Sequence, residues 1–387
     1  MDRAQYTTLM EVLNQVPDYR KRKGRLHRWM TLLSLIAMAL ASAQRTPQAI
    51  ARWVGEHRDD LFAILPPTVA RLPSGATIRR ALSRLDVAAL EAALAAFHPA
   101  PTAGPAGAPT STTPVPLQGV AIDGKAVRGV GRDGHPCHLV SLVQHQDAIV
   151  LGQVEVARKR DERSAVPALL EGRDLHGKVV TLDALHTLRP TARQIRTQQG
   201  HYLMIVKKNQ AALYEYLDML FTLPAHPADH EGWQTVGPTT EKGHGRLETR
   251  TLTCGNAHIE DVDWPDVQQV VRRECERITL KTGKRTHEVT YGLVSMSPKE
   301  AGAATIEALW RGHWTIENRV HYVRDVSFGE DAGHAAHGTT AHALAALRNG
   351  LLRLFRHAHW PSVPDALAHY GAAVVRAAVL IGLQVKT

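Results

Sequence analysis

Apolar residues recur along this chain at two different spacings, and the change from one to the other divides it. From Trp29 to Ala43 nearly every position is apolar, the pattern of a helix buried on all sides. Thr31, Ser34 and Ser42 interrupt the run, and it is too short to cross a bilayer. Pro47 to His57 predicts a second helix opened by proline, and Ser74-Gly75-Ala76-Thr77 leads into a helical pattern from Ile78 to Leu85. Asp86 is the expected N-cap of a helix over Val87 to Phe97. From Pro99 to Pro116 the chain then carries six prolines and no charge, the composition of an extended, semi-rigid linker.

Beyond the linker the spacing shortens to that of strands. Leu117 to Ile122 is apolar up to Asp123, and Lys178 to Leu182 is apolar up to Asp183. Between them, His138–His145 and Ala148–Val156 suit an antiparallel hairpin or meander, and Arg163–Glu171 a helix that returns the chain to the Asp183 strand. Thr187–Gln199 predicts a helix stopped at Gly200, and His201–Val206 a further strand. From Gln210 to about Ala301 turns at Pro224, Gly237, Gly255 and Gly283 break the pattern, as expected of a β-rich insertion. Helical spacing resumes through Trp310-Arg311-Gly312-His313-Trp314-Thr315-Ile316-Glu317-Asn318. The expected fold class is α/β, a mixed sheet flanked by helices, with a β-rich insertion and an all-helical N-terminal domain. The expected parts are an N-terminal helical domain over 1–98, a linker over 99–117, a core in two parts over 118–210 and 302–387, and the insertion over 211–301.

Asp123, Asp183 and Glu317 are the candidate catalytic residues. Ligands gather at strand ends in layered α/β sheets, and three carboxylates brought together raise one another's pKa values unless a cation neutralises them. Oxygen ligands select Mg²⁺, with Mn²⁺ as a substitute. Two such ions about 3.5–4 Å apart activate a water and stabilise the leaving oxygen of a phosphodiester. A single strand-end Asp is more often a cap or turn residue, and Asp325, Glu330 and Asp331 compete with Glu317 as the helical acid.

The text around the acids resembles the DDE transposases of bacterial insertion sequences, the family that includes the H-repeat-associated proteins. The matching stretches are Ala121–Gly129, Val180–Thr187, Tyr202–Gln210, Gly243–Arg250, and His313–Asn318 running into His321–Asp331. The resemblance implies an RNase H-like catalytic core in which Asp123, Asp183 and Glu317 bind two Mg²⁺ ions. It also implies cleavage and strand transfer of double-stranded transposon ends into target DNA by a homo-oligomer, at least a dimer on paired ends. A metal-dependent nuclease without joining activity and a catalytically idle DNA-binding regulator are the alternatives. Related transposases often carry a Tyr, Arg, Glu, Lys signature across the third acid; the corresponding places here hold Trp310, His313, Glu317 and Arg324, so only the Glu is identical.

Charge agrees with an anionic partner: 46 basic against 37 acidic residues give a formal charge of +9. Candidate DNA contacts are Arg20 and Arg22 in the basic arm before the first helix, and Arg79 and Arg80 on a later helical face. Lys125 and Arg128 follow the first acid, Lys207, Lys208 and Asn209 follow a core strand, and His313 and Arg324 flank Glu317. Lys242, His244, Arg246, Glu248 and Arg250 alternate, so one strand would carry all five on one face, the cations among them suited to a phosphate backbone. Cys137, Cys254 and Cys275 show no disulfide or zinc spacing. Together with the lack of a secretory signal this points to a reducing cytoplasm, in association with the nucleoid.

Overall fold

The computed structural model describes residues 7–23, 25–65, 71–99, 117–128, 137–158, 161–222, 232–256, 259–332 and 338–385. The linker expected over 99–117 lies outside them except for its end residues. Six helices come first: α1 (Leu9–Asn14), α2 (Trp29–Ala41), α3 (Pro47–Glu56), α4 (Arg58–Ile64), α5 (Gly75–Ser83) and α6 (Val87–Ala95). Their starts follow the capping chemistry of the sequence. Thr46 accepts from the Ala49 amide with Pro47 in the first turn, Ser74 caps α5, and Asp86 Oδ1 accepts from the Ala89 amide at 2.9 Å. All of α2 except Met30 is buried.

The sheet holds nine strands: β1 (Gln118–Val127), β2 (Cys137–Gln144), β3 (Val150–Val156), β4 (Lys178–Leu182), β5 (His201–Val206), β6 (Gln234–Gly243), β7 (Arg246–Gly255), β8 (Gln269–Thr279) and β9 (Arg285–Val294). Helices α7 (Glu162–Leu170), α8 (Arg189–Thr197) and α9 (Ala211–Thr222) are threaded among them. The order is β3-β2-β1-β4-β5-β9-β8-β7-β6. β1, β4 and β5 are parallel and β2 is antiparallel to its neighbours, which is the RNase H-like arrangement. Strand alternation sends Ile122, Val180, Leu182 and Tyr202 to a core under α7, α8 and α9, and Val179 and Leu203 to the opposite core under α10 (Ala303–Gly312).

The β-rich stretch after α9 does not build a sheet of its own. β9 pairs with β5, and β8, β7 and β6 follow it outward, so the core sheet continues without interruption. The expected five-residue polar face is corrected here. His244 and Gly245 both have positive φ, at 47° and 73°, and form a two-residue hairpin turn between β6 and β7. Lys242 therefore sits on β6 opposite Leu247, on the other face from Arg246, Glu248 and Arg250.

After α10 come α11 (Tyr322–Val326), α12 (Thr340–His357), α13 (Val363–Gly371) and α14 (Val374–Ile381). The last three share one core with the N-terminal helices, in which Leu347, Leu351 and Phe355 meet Leu32, Ile36 and Leu90. Cys137, Cys254 and Cys275 are free and buried. Among the described residues no helix is long and apolar enough to cross a membrane.

A buried ion network ties this helical layer to the sheet edge. Glu330 lies between Arg324 at 2.7 Å and Arg348 at 3.0 Å, and Arg324 also donates to Gln153 Oε1 on β3 at 2.7 Å. Burial raises the Glu330 pKa, but the two guanidinium groups outweigh it and hold the carboxyl at about 2. Because the folded value lies below the ordinary 4.5, the stabilisation is present above that pH and lost as pH falls toward 2. Glu330→Gln, which strands two buried cations, is expected to cost about 3–5 kcal/mol in denaturant unfolding at neutral pH. A cost under about 1 kcal/mol would show that the pair is solvated.

Candidate active site

The two aspartates are placed by one length of parallel pairing. β1 runs beside β4 from Gln118–Lys178 to Ile122–Leu182, and the next residues are Asp123 and Asp183. Asp123 itself is not at a strand end, contrary to the sequence expectation. β1 continues to Val127 because its other edge stays paired with β2. Asp183 does leave the sheet, and its Oδ1 accepts from the amides of Leu185 and His186 at 3.0 and 3.1 Å. This Asx-type turn is pinned from below: Asn209 donates to the Ala184 carbonyl at 2.8 Å and Gln210 to that of Thr187 at 2.9 Å.

Glu317 comes from the helical layer on the sheet face of Ala121 and Val179, the face to which alternation sends both aspartates. It opens a π-helical turn, Glu317–His321, between α10 and α11; Val320 in the turn and Ile316 just before it pack on Ala121 of β1. Such a turn widens the helix locally and recurs at functional sites. Glu317 is exposed, while Asp123 and Asp183 are half-buried.

The electrostatics link the acids. Burial first, then the charges of Asp183, Glu162 and Glu317, push the Asp123 carboxyl up to about 7. Crowded carboxylates of this kind suit a hard divalent cation. Among the described residues no group of three His, Cys, Asp or Glu side chains is arranged so that it could hold a metal ion.

Two buried groups at the site were not anticipated. Glu162, at the start of α7, reaches the Asp123 neighbourhood because Gly124 leaves room for it. A Cβ there would lie 2.4 Å from the Glu162 carboxyl carbon. An acid in a first helical turn reads from sequence as a partner of the helix dipole, so nothing local announced it. His321 Nδ1 stands 3.7 Å from Asp123 Oδ2, and burial, Arg324 and Lys125 together hold it neutral, with a pKa of about 3.

A cleft of about 840 Å³ leads from Glu317 across the outer strands. Six Lys and Arg side chains line it against three Glu, with Trp310 and Trp314 beside the third acid. Lys207, His244, Arg246 and Arg250 of the sequence candidates are among them. Glutamates partner several of these cations: Arg246 meets Glu248 at 2.5 Å, and Arg250 meets Glu248 and, at 3.0 Å, Glu241. Lys208 is exposed and lies over the Tyr214 ring at 5.9 Å. Lys242 and the Arg128 side chain face solvent.

Three sequence candidates are turned inward instead. Lys125 is buried against Asp325 at 2.5 Å and Asp331 at 3.6 Å. Arg324 is wholly buried on Glu330. His313 Nδ1 is 3.0 Å from Thr181 Oγ1, and burial holds its pKa at about 4, so it carries no charge for a phosphate at neutral pH. Among the N-terminal helices, Arg20 and Arg80 line a second basic hollow of about 590 Å³, and Arg22 and Arg79 are exposed. Arg20 is already bound to Asp18 at 2.8 Å.

Comparison with known proteins matches two stretches of the chain. Residues 114–353 match the family model described as the transposase DDE domain, and residues 10–98 match a model described as DDE_Tnp_1-associated. YncI of Escherichia coli O157:H7, named as a candidate transposase, is 26% identical over 354 residues, 90% of this chain and 87% of that protein. YhhI of Escherichia coli K12, named as an H repeat-associated candidate transposase, is 26% identical over 349 residues, 88% of each chain. A chain of the piggyBac transposase synaptic complex with hairpin DNA superposes at TM-score 0.48 with 9% identity, covering 96% of this chain and 78% of that one.

The raised Asp123 carboxyl has a measurable consequence. The unfolded group ionises near 3.8 and the folded one near 7, so the charge costs stability increasingly across that interval. In chelator, Asp123→Asn is expected to melt above the parent at about pH 8, with the gap closing toward about pH 4. A gap independent of pH in differential scanning fluorimetry would remove the case for a perturbed acid at this position.

Proposed function

This chain belongs to the DDE transposase family, and on that premise we propose that Asp123, Asp183 and Glu317 form its metal-binding catalytic triad for cutting and joining transposon DNA. The chain is a DNA-transposing enzyme of a family that uses divalent metal. The observation that carries the residue assignment is the β1–β4 register that brings Asp123 beside Asp183, with Glu317 close enough to add to the field on Asp123. The ions proposed are two Mg²⁺, with Mn²⁺ as a substitute. Asp123, Asp183 and Glu317 would hold the ions, which would supply water activation at the transposon end and charge stabilisation of the departing 3′ oxygen, and would supply the same chemistry for attack of that 3′ hydroxyl on target DNA. Both displacements are in line at phosphorus, so one set of acids serves both nucleophiles.

The residues around the acids divide the remaining work. The 183–187 turn, held by Asn209 and Gln210, fixes the second acid to β5 rather than leaving it on a free loop. Lys207 and Arg246 face the cleft that ends at Glu317 and are proposed to hold the backbone of the scissile strand. Arg250 contributes once a phosphate competes with its glutamate partners. Lys125, His313 and Arg324 are not proposed as DNA contacts. Arg20, Arg22, Arg79 and Arg80 are proposed to engage DNA flanking the cut, on double-stranded transposon ends and target held by a homo-oligomer in the cytoplasm, at the nucleoid.

Linear DNA carrying the ends that flank this gene is expected to yield joined products in Mg²⁺ or Mn²⁺ with the parent and none with Asp183→Asn, at equal DNA binding. Cleavage without joining would point to a nuclease, and binding without cleavage in both proteins to a regulator. In a salt titration of DNA binding, Lys207→Ala and Arg246→Ala are each expected to lower the logarithmic slope by about 1. An unchanged slope would place the DNA elsewhere.

A further inference from the structure

We infer that the Thr181 hydroxyl is a positioning group that sets the spacing of the three acids, because the segments carrying all three meet on this one atom. Thr181 is wholly buried on β4, two residues before Asp183. Its Oγ1 lies 3.3 Å from the carbonyl oxygen of Val120 on β1, three residues before Asp123. It lies 3.0 Å from Nδ1 of His313 at the end of α10, four residues before Glu317. A third contact, at 3.0 Å, is Nε2 of His145, just past β2.

The valence of the hydroxyl is filled by these neighbours. One O–H donates to Val120, and two lone pairs accept from the imidazoles. That count assigns a neutral Nε2–H tautomer to His145 and a neutral Nδ1–H tautomer to His313. Removing the oxygen leaves two imidazole N–H groups of half-buried rings and one carbonyl contact unmet, each at a cost where water does not replace the bond.

The chain makes unusual room for this node. A Cβ at Gly119 would lie 2.1 Å from His145 Nδ1, and one at Gly312 would lie 2.2 Å from it. Glycine at both positions is what admits the ring between β1 and α10. The His145 amide also donates to the Gly119 carbonyl at 2.9 Å, so the ring is anchored to the strand that carries the first acid. The hydroxyl touches no reacting atom. Its effect passes through the distance between the β1–β4 pair and the Glu317 helix.

This inference rests on the reading of Asp123, Asp183 and Glu317 as the metal-holding acids. Supporting groups behind metal ligands commonly change metal affinity or activity about 10–100-fold when removed. In the full chain, Thr181→Val is expected to raise the Mn²⁺ concentration needed for half-maximal cleavage by about 10-fold or more. It is expected to weaken Mn²⁺ binding followed by electron paramagnetic resonance to a similar degree, with metal-free DNA binding unchanged. Thr181→Ser, which restores the oxygen, is expected to recover most of both. A packing defect alone would lower the folded fraction without moving the metal midpoint.

A folded Thr181→Val protein with the parental metal midpoint would overturn the inference. If that variant does not fold, Gly312→Ala serves instead by displacing the His145 ring, and a parental midpoint there is equally decisive. A parent that neither binds Mn²⁺ nor loses cleavage on Asp183→Asn would show that the triad reading had failed, and the positioning role with it.

Discussion

The structure turns on where β1 and β4 stop being parallel partners. Five residue pairs are joined, and the sixth pair is two aspartates. Because strand alternation is fixed, slipping either strand by one residue would turn its acid to the other face of the sheet. β1 does not end there; its continued pairing with β2 keeps Asp123 on a rigid element rather than on a loop. The helix above contributes the third acid only because α10 packs on the same face through Ile306, Leu309 and Trp310. The position of each acid is thus decided by apolar contacts made several residues before it.

The outer strands give the site its wall. Since β6 to β9 continue the core sheet, Arg250 and Arg277 stand on the same surface as the approach to Glu317. Interleaved glutamates hold these cations in place: Arg277 meets Glu288 at 2.8 Å and Glu248 at 3.3 Å. Exposed pairs of this kind contribute little to stability. Their effect is to present oriented guanidinium groups that a polyanion can capture from weaker partners.

Much of the frame was legible because local and global signals agree. The apolar runs before Asp123 and Asp183 marked the strands, and Ser74 and Asp86 marked helix starts that the backbone adopts. What stayed hidden depends on partners distant in sequence. Lys125 looked free until Asp325 and Asp331 came beside it, and Arg324 until Glu330 and Gln153 enclosed it. The length of β1 depended on β2. The Gly243-His244-Gly245 turn was misread as strand because alternating polarity continues through a two-residue hairpin. His145, Thr181 and His313 carry no common local pattern, since each lies in a different segment.

One feature of the helical layer governs when this protein can exist in its working form. α2 is buried on nearly every side, and part of its cover comes from α12, α13 and α14 at the far end of the chain. During synthesis those helices emerge after the whole of the sheet, so an almost wholly apolar segment waits through synthesis of all nine strands without these neighbours. Nascent chains with such surfaces are sticky and depend on chaperones. A product that stops between Glu317 and α12 therefore carries all three acids but leaves this core open. The helical core closes only once α12 to α14 have been made.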